Sequence, residues 1–387
     1  MFPLQPWLFR PHPYCDELLS SWLVRIAWHN VQKLEMFSSD LWGTRSQVWS
    51  RDIDRTADSR IFEVVAEKAC VSRERAWQTT LEPYEGVLYE RHVKRGAATW
   101  LMPIGCRQRS RRLFGLQCCP VCLLEDTEPY YRRSWRLSFM SACRKHQVML
   151  IDRCDRCGSP ISFHESDFGS YDWPEELRMT VCKHCQRDYR DILPVSLNNH
   201  PLGHWVAQFQ AGAEKAMEFH WATLDNGIEI MSLLYFEGLR HLNRVLAENS
   251  HAAVFRQAVA GQLNMPFDPI EYAHGHFVER LDAQIRFFLC GMMGWLLADW
   301  PEHFIWSCKV AKLSSDYFQD RRKVMPYWLS MPIKWYADRS LYHPADDEVA
   351  EVVRYLASHG LSTSHNNVRR WLGRWHVDRH KIILRAL

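Results

Sequence analysis

Leu19, Trp22, Leu23, Ile26 and Ala27 recur at i, i+3, i+4, i+7 and i+8, the spacing that aligns apolar side chains along one face of a helix. Asp16, just before them, can serve as N-cap or first-turn acid. The same periodicity returns over 61–70 (Phe62, Val65, Ala66, Ala69) and 72–81 (Ala76, Trp77, Leu81), with Ser72 as the N-cap between them. That pair reads as a helical hairpin or a helix-turn-helix. Pro3, Pro6, Pro11 and Pro13 disfavour helix and predict an extended lead-in over 1–13. Between 118 and 190 helical spacing gives way to short segments, paired cysteines and the turn sequence Cys157-Gly158-Ser159-Pro160. From about residue 200 it resumes through Ile228, Met231 and Leu234, then Leu239 to Leu246, then 278–298. Near the end, Asp346 is placed to cap a helix bearing Val349, Val352, Val353 and Leu356. Gly360 closes it, and Ser362 or Ser364 can cap a second with Val368, Trp371, Leu372 and Trp375.

These elements predict a mainly α protein: a helical N-terminal domain (1–115), a tandem zinc-finger module of short β-hairpins and helices (116–195), and an all-α C-terminal domain (196–387) with a helix-turn-helix-like segment at 346–376. Hydrophobic residues at 47% and charged residues at 24% exclude a chain disordered throughout. The longest uncharged apolar run, Phe287 to Ala298, falls short of the ~18–20 residues needed to cross a bilayer and predicts a buried helix instead. The opening residues lack the basic and apolar regions of a secretory signal, so a cytoplasmic protein without a membrane partner is expected.

In a reducing compartment disulfides are disfavoured, so clustered cysteines point to metal. Eight of the 13 cysteines lie between Cys118 and Cys185. Seven of them, with His146, make four pairs of one spacing: Cys119-x2-Cys122, Cys143-x2-His146, Cys154-x2-Cys157 and Cys182-x2-Cys185. Two intervening residues let a tight turn aim both side chains at one ion, and two such turns complete a tetrahedron. The first two pairs are assigned to one site and the last two to another, giving two structural Zn²⁺ per chain. With four protein ligands each, neither site keeps the open position of a hydrolytic zinc, and no catalytic residue is assigned. Cys118 could compete with Cys119, and His184 lies between Cys182 and Cys185, but Cys-Pro-x-Cys makes the two-residue knuckle and favours Cys119. Cys118 is then a buried thiol beside the site, and Cys15, Cys70, Cys106, Cys290 and Cys308 are expected to be small core hydrophobes. A RING-type cross-brace is disfavoured by the seven residues between His146 and Cys154.

The formal charge of +3 hides an uneven distribution. Residues 91–150 hold 12 Lys/Arg against three acids, a basic belt overlapping the metal module. Binding of seven thiolates to two divalent ions brings the whole chain to about zero. Arg107, Arg109, Arg111, Arg112, Arg132 and Arg133 in the belt, with Arg369, Arg370 and Arg374 on the last predicted helix, are the candidate nucleic-acid or partner contacts.

The run Gly115-Leu116-Gln117-Cys118-Cys119-Pro120-Val121-Cys122, then Pro129-Tyr130-Tyr131-Arg132-Arg133-Ser134-Trp135-Arg136-Leu137, Cys143-Arg144-Lys145-His146 and Leu150-Ile151-Asp152-Arg153-Cys154-Asp155-Arg156-Cys157-Gly158, resembles the TniQ family of bacterial transposition proteins, which includes the TnsD target selectors. The stretch from Pro13 to Ala27 resembles the family's opening helix. The resemblance covers about residues 11–190 and implies a non-enzymatic target-selection adaptor, DNA-associated in a bacterial cytoplasm. Strand transfer and ATP hydrolysis would belong to a separate transposase and an AAA+ regulator of the TnsC/TniB type. No G-x-x-x-x-G-K-[ST], H-E-x-x-H or G-x-S-x-G motif is present in the chain. Family members either read an attachment site directly, as TnsD does, or dock, often as a homodimer, on an RNA-guided CRISPR effector of the Cascade type carrying guide RNA and target DNA. A short chain with weak net charge favours the second kind over one relying on many phosphate contacts.

Overall fold

A computed structural model describes residues 5–43, 48–49, 51–104, 113–165, 176–247, 252–265, 277–318, 325–334, 345–364, 367–368 and 371–372. Helices dominate it. The N-terminal part holds α1 (Leu19–His29), α2 (Leu34–Trp42), α3 (Ile53–Thr56), α4 (Ser59–Ala69) and α5 (Arg73–Trp77). The cysteine-rich part holds α6 (Pro120–Glu125), the hairpin of β1 (Ala142–Cys143) and β2 (Val148–Met149), and several single 3₁₀ turns. After it come α7 (Gly203–Phe219), a second hairpin of β3 (Trp221–Thr223) and β4 (Glu229–Met231), then α8 (Ser232–Ala247), α9 (Ala252–Gln262), α10 (Ala283–Leu297), α11 (Glu302–Val310), α12 (Tyr327–Pro332) and α13 (Asp346–Ser358).

The predicted stripe of α1 is fully used: Leu19, Trp22, Leu23, Ile26 and Ala27 pack into one apolar cluster with Phe37, Phe62, Val65, Ala66 and Ala76. The helix starts later than the sequence suggests. Asp16 sits at φ 61°, and its carboxylate accepts the Ser134 N–H (3.2 Å) and hydroxyl (2.6 Å), so it ties the N-terminal helices to the cysteine-rich part rather than capping α1. Asp58 caps α4 and Ser72 caps α5, which ends at Trp77, short of the expected 81.

A second apolar cluster takes in Leu18 and runs from Leu81 through the cysteine-rich part to Ile333, across residues 115 and 195. Its centre is the crossing of α7 and α10. A Cβ added at Gly294 would lie 2.2 Å from the Trp205 carbonyl oxygen, so only glycine lets the two backbones approach this closely. The Phe287–Leu297 stretch is thus a buried helix, as its length predicted. Ile228 and Met231, read as helical, belong instead to the turn and strand of the β3–β4 hairpin, closed by Asp225-Asn226-Gly227 with Gly227 at φ 79°.

At the C-terminal end the N-cap of α13 is Ala345, whose N–H donates to the Glu348 carboxylate (3.0 Å), and Asp346 is the first helical residue. Val352, Leu356 and Val368 are buried together with Val349, Val353, Trp371 and Leu372 around them, and Ser364 O accepts the N–H groups of Asn367 and Val368. Of the predicted second helix only 367–368 and 371–372 are among the described residues, and they are helical and pack against α13 in this cluster. Trp375 lies outside the described residues.

Candidate metal centres

Three of the four pairs share one backbone device. Gln147, Gly158 and Gln186 each follow a pair directly, each sits at positive φ (52°, 67° and 58°), and each donates its N–H to the carbonyl of the pair's first ligand, Cys143, Cys154 or Cys182 (2.8, 2.9 and 2.9 Å). That reversal aims both ligand side chains the same way. The fourth pair uses a helix start: Cys119 is the N-cap of α6, Pro120 occupies the first turn, and the Cys122 N–H donates to the Cys119 sulfur at 3.4 Å.

The fold brings the pairs together as the spacing predicts. The ligand atoms of Cys119, Cys122, Cys143 and His146 lie within 4.8 Å of one another, and so do those of Cys154, Cys157, Cys182 and Cys185. In the first group His146 Nδ1 stands 3.4, 3.3 and 3.5 Å from the sulfurs of Cys119, Cys122 and Cys143, with Cys122 and Cys143 Sγ 3.6 Å apart. In the second, Cys154–Cys185 and Cys157–Cys182 sulfurs are 3.5 and 3.6 Å apart. A tetrahedral ion with Zn–S of ~2.3 Å and Zn–N of ~2.0–2.1 Å requires edges of about 3.5–3.8 Å, whereas a disulfide would need ~2.05 Å. The donor sets fit a tetrahedral metal and not disulfides. Both centres can hold a metal ion and are consistent with zinc.

The two centres differ in their surroundings. Cys119, Cys122 and Cys143 are buried, and His146 Nε2 lies 2.8 Å from the Glu125 carboxylate, which fixes Nδ1 as the ligand atom. Glu125 was missed in the sequence, although it lies one turn beyond Cys122 on α6 and so shares its face. Cys157 is exposed and Cys185 half-buried, so the second centre faces solvent. Glu125→Gln is expected to loosen metal at the first centre by ~10-fold, the low end for such partners because Glu125 is exposed. Competition with a chromogenic chelator would read this; equal retention in both proteins would deny Glu125 a part in orienting His146.

The remaining cysteines divide. Cys118, Cys290 and Cys308 are buried, and burial pushes the Cys290 thiol up to about 12. Cys15 and Cys70 are exposed, against expectation; each sits beside or at a left-handed residue (Asp16 φ 61°, Cys70 φ 55°) where the chain turns at the surface. Cys106 lies outside the described residues.

Arg132 and Arg133, proposed from sequence as contacts, are turned to internal partners. Arg132 makes a two-pronged pair with Asp126 (2.8 and 3.1 Å) and lies over the rings of Tyr130 and Trp135; Arg133 pairs with Asp16 at 3.3 Å. Their side chains are only 16% and 18% exposed, which leaves little guanidinium for a phosphate. Arg107, Arg109, Arg111, Arg112, Arg369, Arg370 and Arg374 lie outside the described residues.

Sequence reading missed a buried network that fastens the N-terminal helices to the cysteine-rich part. Arg136, fully buried, donates to both Asp52 oxygens (2.6 and 3.0 Å), to Asp54 (3.2 Å) and to the Met102 carbonyl (2.8 Å). Asp54 also accepts from the Ser20 N–H and hydroxyl at the start of α1. A parallel clamp joins Glu17, Arg25 and Glu128 through contacts of 2.7 Å each. No motif spacing announces either, since the contacts that cross between the two parts, Arg136 with Asp52 and Asp54 and Arg25 with Glu128, join residues 82–103 apart.

Residues 8–150 match the family model described as TniQ, a span that takes in α1 and the whole first centre but stops before Cys154. No curated protein matches the chain.

Proposed function

From the premise that residues 8–150 are a TniQ-family domain, which makes this a transposition-associated target-selection protein, we propose that the chain is a zinc-braced adaptor linking a target-recognition complex to an AAA+ regulator and its transposase. The observation that carries the reading is the joint one: the family domain encloses a complete four-ligand centre, and a second complete centre follows it at once. Zinc at each would supply cross-links and no open coordination position. Cys119, Cys122, Cys143 and His146 would hold one ion, and Cys154, Cys157, Cys182 and Cys185 the other. The Arg136 and Arg25 networks then transmit the rigidity of this bracket to α1 and α3, so a partner on the N-terminal helices and one on the C-terminal helices are held at fixed separation.

The recognition complex we favour is an RNA-guided Cascade-type effector, engaged by a homodimer of this chain in the cytoplasm. Among the described residues no helix is long and apolar enough to cross a membrane. The second reading is a TnsD-like protein that reads an attachment site itself, through the arginines at 107–112 and 369–374. Salt decides between them. Direct readout predicts tight binding of the isolated chain to one duplex, weakening ~10³-fold or more between 50 and 200 mM salt, whereas an effector-docked adaptor shows only weak binding to any duplex. Retention of a guide-loaded effector on immobilised protein, with weak duplex binding, is the expected result. Tight, sequence-selective binding to DNA alone would replace this reading with the second.

A further inference from the structure

The β3–β4 hairpin has one edge, that of β3, with no strand beside it among the described residues. Leu224 N–H bonds the Ile228 carbonyl (3.0 Å) and Ser232 N–H bonds the His220 carbonyl (2.9 Å), in the register Trp221↔Met231, Ala222↔Ile230, Thr223↔Glu229. Hydrogen-bonded pairs alternate with non-bonded ones along an antiparallel ladder, so His220, Ala222 and Leu224 face β4 while the N–H and C=O groups of Trp221 and Thr223 point away from it. Among the described residues no strand pairs with that edge. On the other side, the Glu229 carbonyl accepts the Tyr327 hydroxyl at 3.1 Å, so β4 is the flank that this chain's own α12 attends.

The outer face of the hairpin is apolar and acidic together. Trp221 and Met231 are direct cross-strand neighbours yet 55% and 41% exposed. An aromatic and methionine face of this kind on an open edge is a template for strand addition, which soluble proteins ordinarily blunt with lysine or proline. Here the neighbouring charges are carboxylates instead. Glu229 lies on the same face, Asp225 in the turn, where its carboxylate accepts the Asp299 N–H (2.7 Å), and Glu218 at the end of α7; all three are exposed, and among the described residues no ion pair to them is seen. This charge repels a phosphate backbone and attracts cations.

We propose that the β3 edge is a docking strand for the AAA+ regulator: an extended segment of that partner, apolar at alternate positions and flanked by lysine or arginine, adds beside Trp221 and Thr223. The proposal rests on the adaptor reading and names the surface at which its regulator arm is held. Main-chain bonds to Trp221 and Thr223 supply affinity, the Trp221 ring anchors an apolar side chain, and Glu218, Asp225 and Glu229 select the cationic flanks.

The test uses the full chain and the purified regulator. Trp221→Ala is expected to weaken binding ~10-fold or more, as loss of a tryptophan anchor does. Glu229→Lys should weaken it by about as much at low salt and flatten its salt dependence. Thr223→Pro removes only an outward-facing N–H, so the hairpin and the melting temperature are kept while binding falls ~10-fold. Hydrogen exchange should show the Trp221 and Thr223 amides protected when the regulator is bound. If the regulator binds wild type and all three variants alike, the docking strand is wrong and the adaptor reading survives. A regulator that does not bind wild type at all overturns both. Protection of the same amides by duplex DNA in place of the regulator also overturns the proposal, because it requires a phosphate partner.

Discussion

Cys122→Ser is expected to yield protein holding about one zinc ion per chain in place of two, with a melting temperature lower by ~10 °C or more. Binding of a structural zinc is worth on the order of 10 kcal/mol of folding free energy, comparable to the whole ~5–15 kcal/mol by which a domain is stable. Cys122 leaves no slack for a substitute. It lies at a buried turn of α6, its sulfur is 3.3 Å from His146 Nδ1 and 3.6 Å from Cys143 Sγ, and it belongs to the cluster that also packs Tyr131, Phe139 and Leu202. Elemental analysis with a thermal melt reads both quantities. The control is Cys118→Ser, four residues away and equally buried, whose backbone pairs with Ile151 and whose sulfur is no part of the tetrad. That variant should keep both ions and lose only ~1–2 kcal/mol. Two ions and an unchanged melt in Cys122→Ser would remove the first centre from the account.

Arg136→Met is expected to cost ~3–5 kcal/mol near neutral pH, because it strands two buried carboxylates whose shared cation is gone. The methionine fills similar volume, so the loss reports charge rather than a cavity. Its pH dependence is the sharper readout. In the wild type burial raises Asp52, but the charge and hydrogen bonds of Arg136, with help from Arg55, hold it below its ordinary value. Asp52 therefore contributes stability that is present above pH 3.8 and lost as pH falls below it. Burial, opposed by Arg136 and reinforced by the Asp52 charge, pushes Asp54 up to about 6, so its contribution is present below pH 3.8 and lost as pH rises through 6. Without the guanidinium both acids resist ionisation, and protonating them relieves the variant. The stability gap between variant and wild type should thus narrow from pH 7 to pH 5 in urea unfolding. A gap that stays constant or widens would show that Arg136 acts by packing alone. Replacing Asp52 and Asp54 by asparagine in the same variant should recover most of the loss.

What could be read before folding, and what could not, follows from how far each interaction reaches along the chain. Residues three apart in a knuckle, or three and four apart on α1, are placed by local geometry, so all eight candidate ligands and the buried face of α1 were legible. The hairpin was misread because Ile228, Met231 and Leu234 happen to fall at i, i+3 and i+6, a helix-like spacing. The stronger signal was the turn Asp225-Asn226-Gly227 between two short apolar stretches, since Gly227 must take the positive φ that closes it. Asp16 has every local qualification for an N-cap, yet Ser134, 118 residues away, outbids α1 for its carboxylate.

By itself the sequence determined the helical class, the two tetrads and their pairing, and the family model that residues 8–150 match, because each depends on residue type at short, fixed spacing. Only the tertiary structure decided that Arg136 and Arg25 bolt the N-terminal helices to the metal-bearing part, that one centre is buried while the other faces water, that Arg132 and Arg133 spend their charge internally, and that β3 is left with an open edge. Each of these depends on which distant side chains arrive at the same place and on what water they displace, and burial and pairing across such distances exist only once the chain has closed on itself.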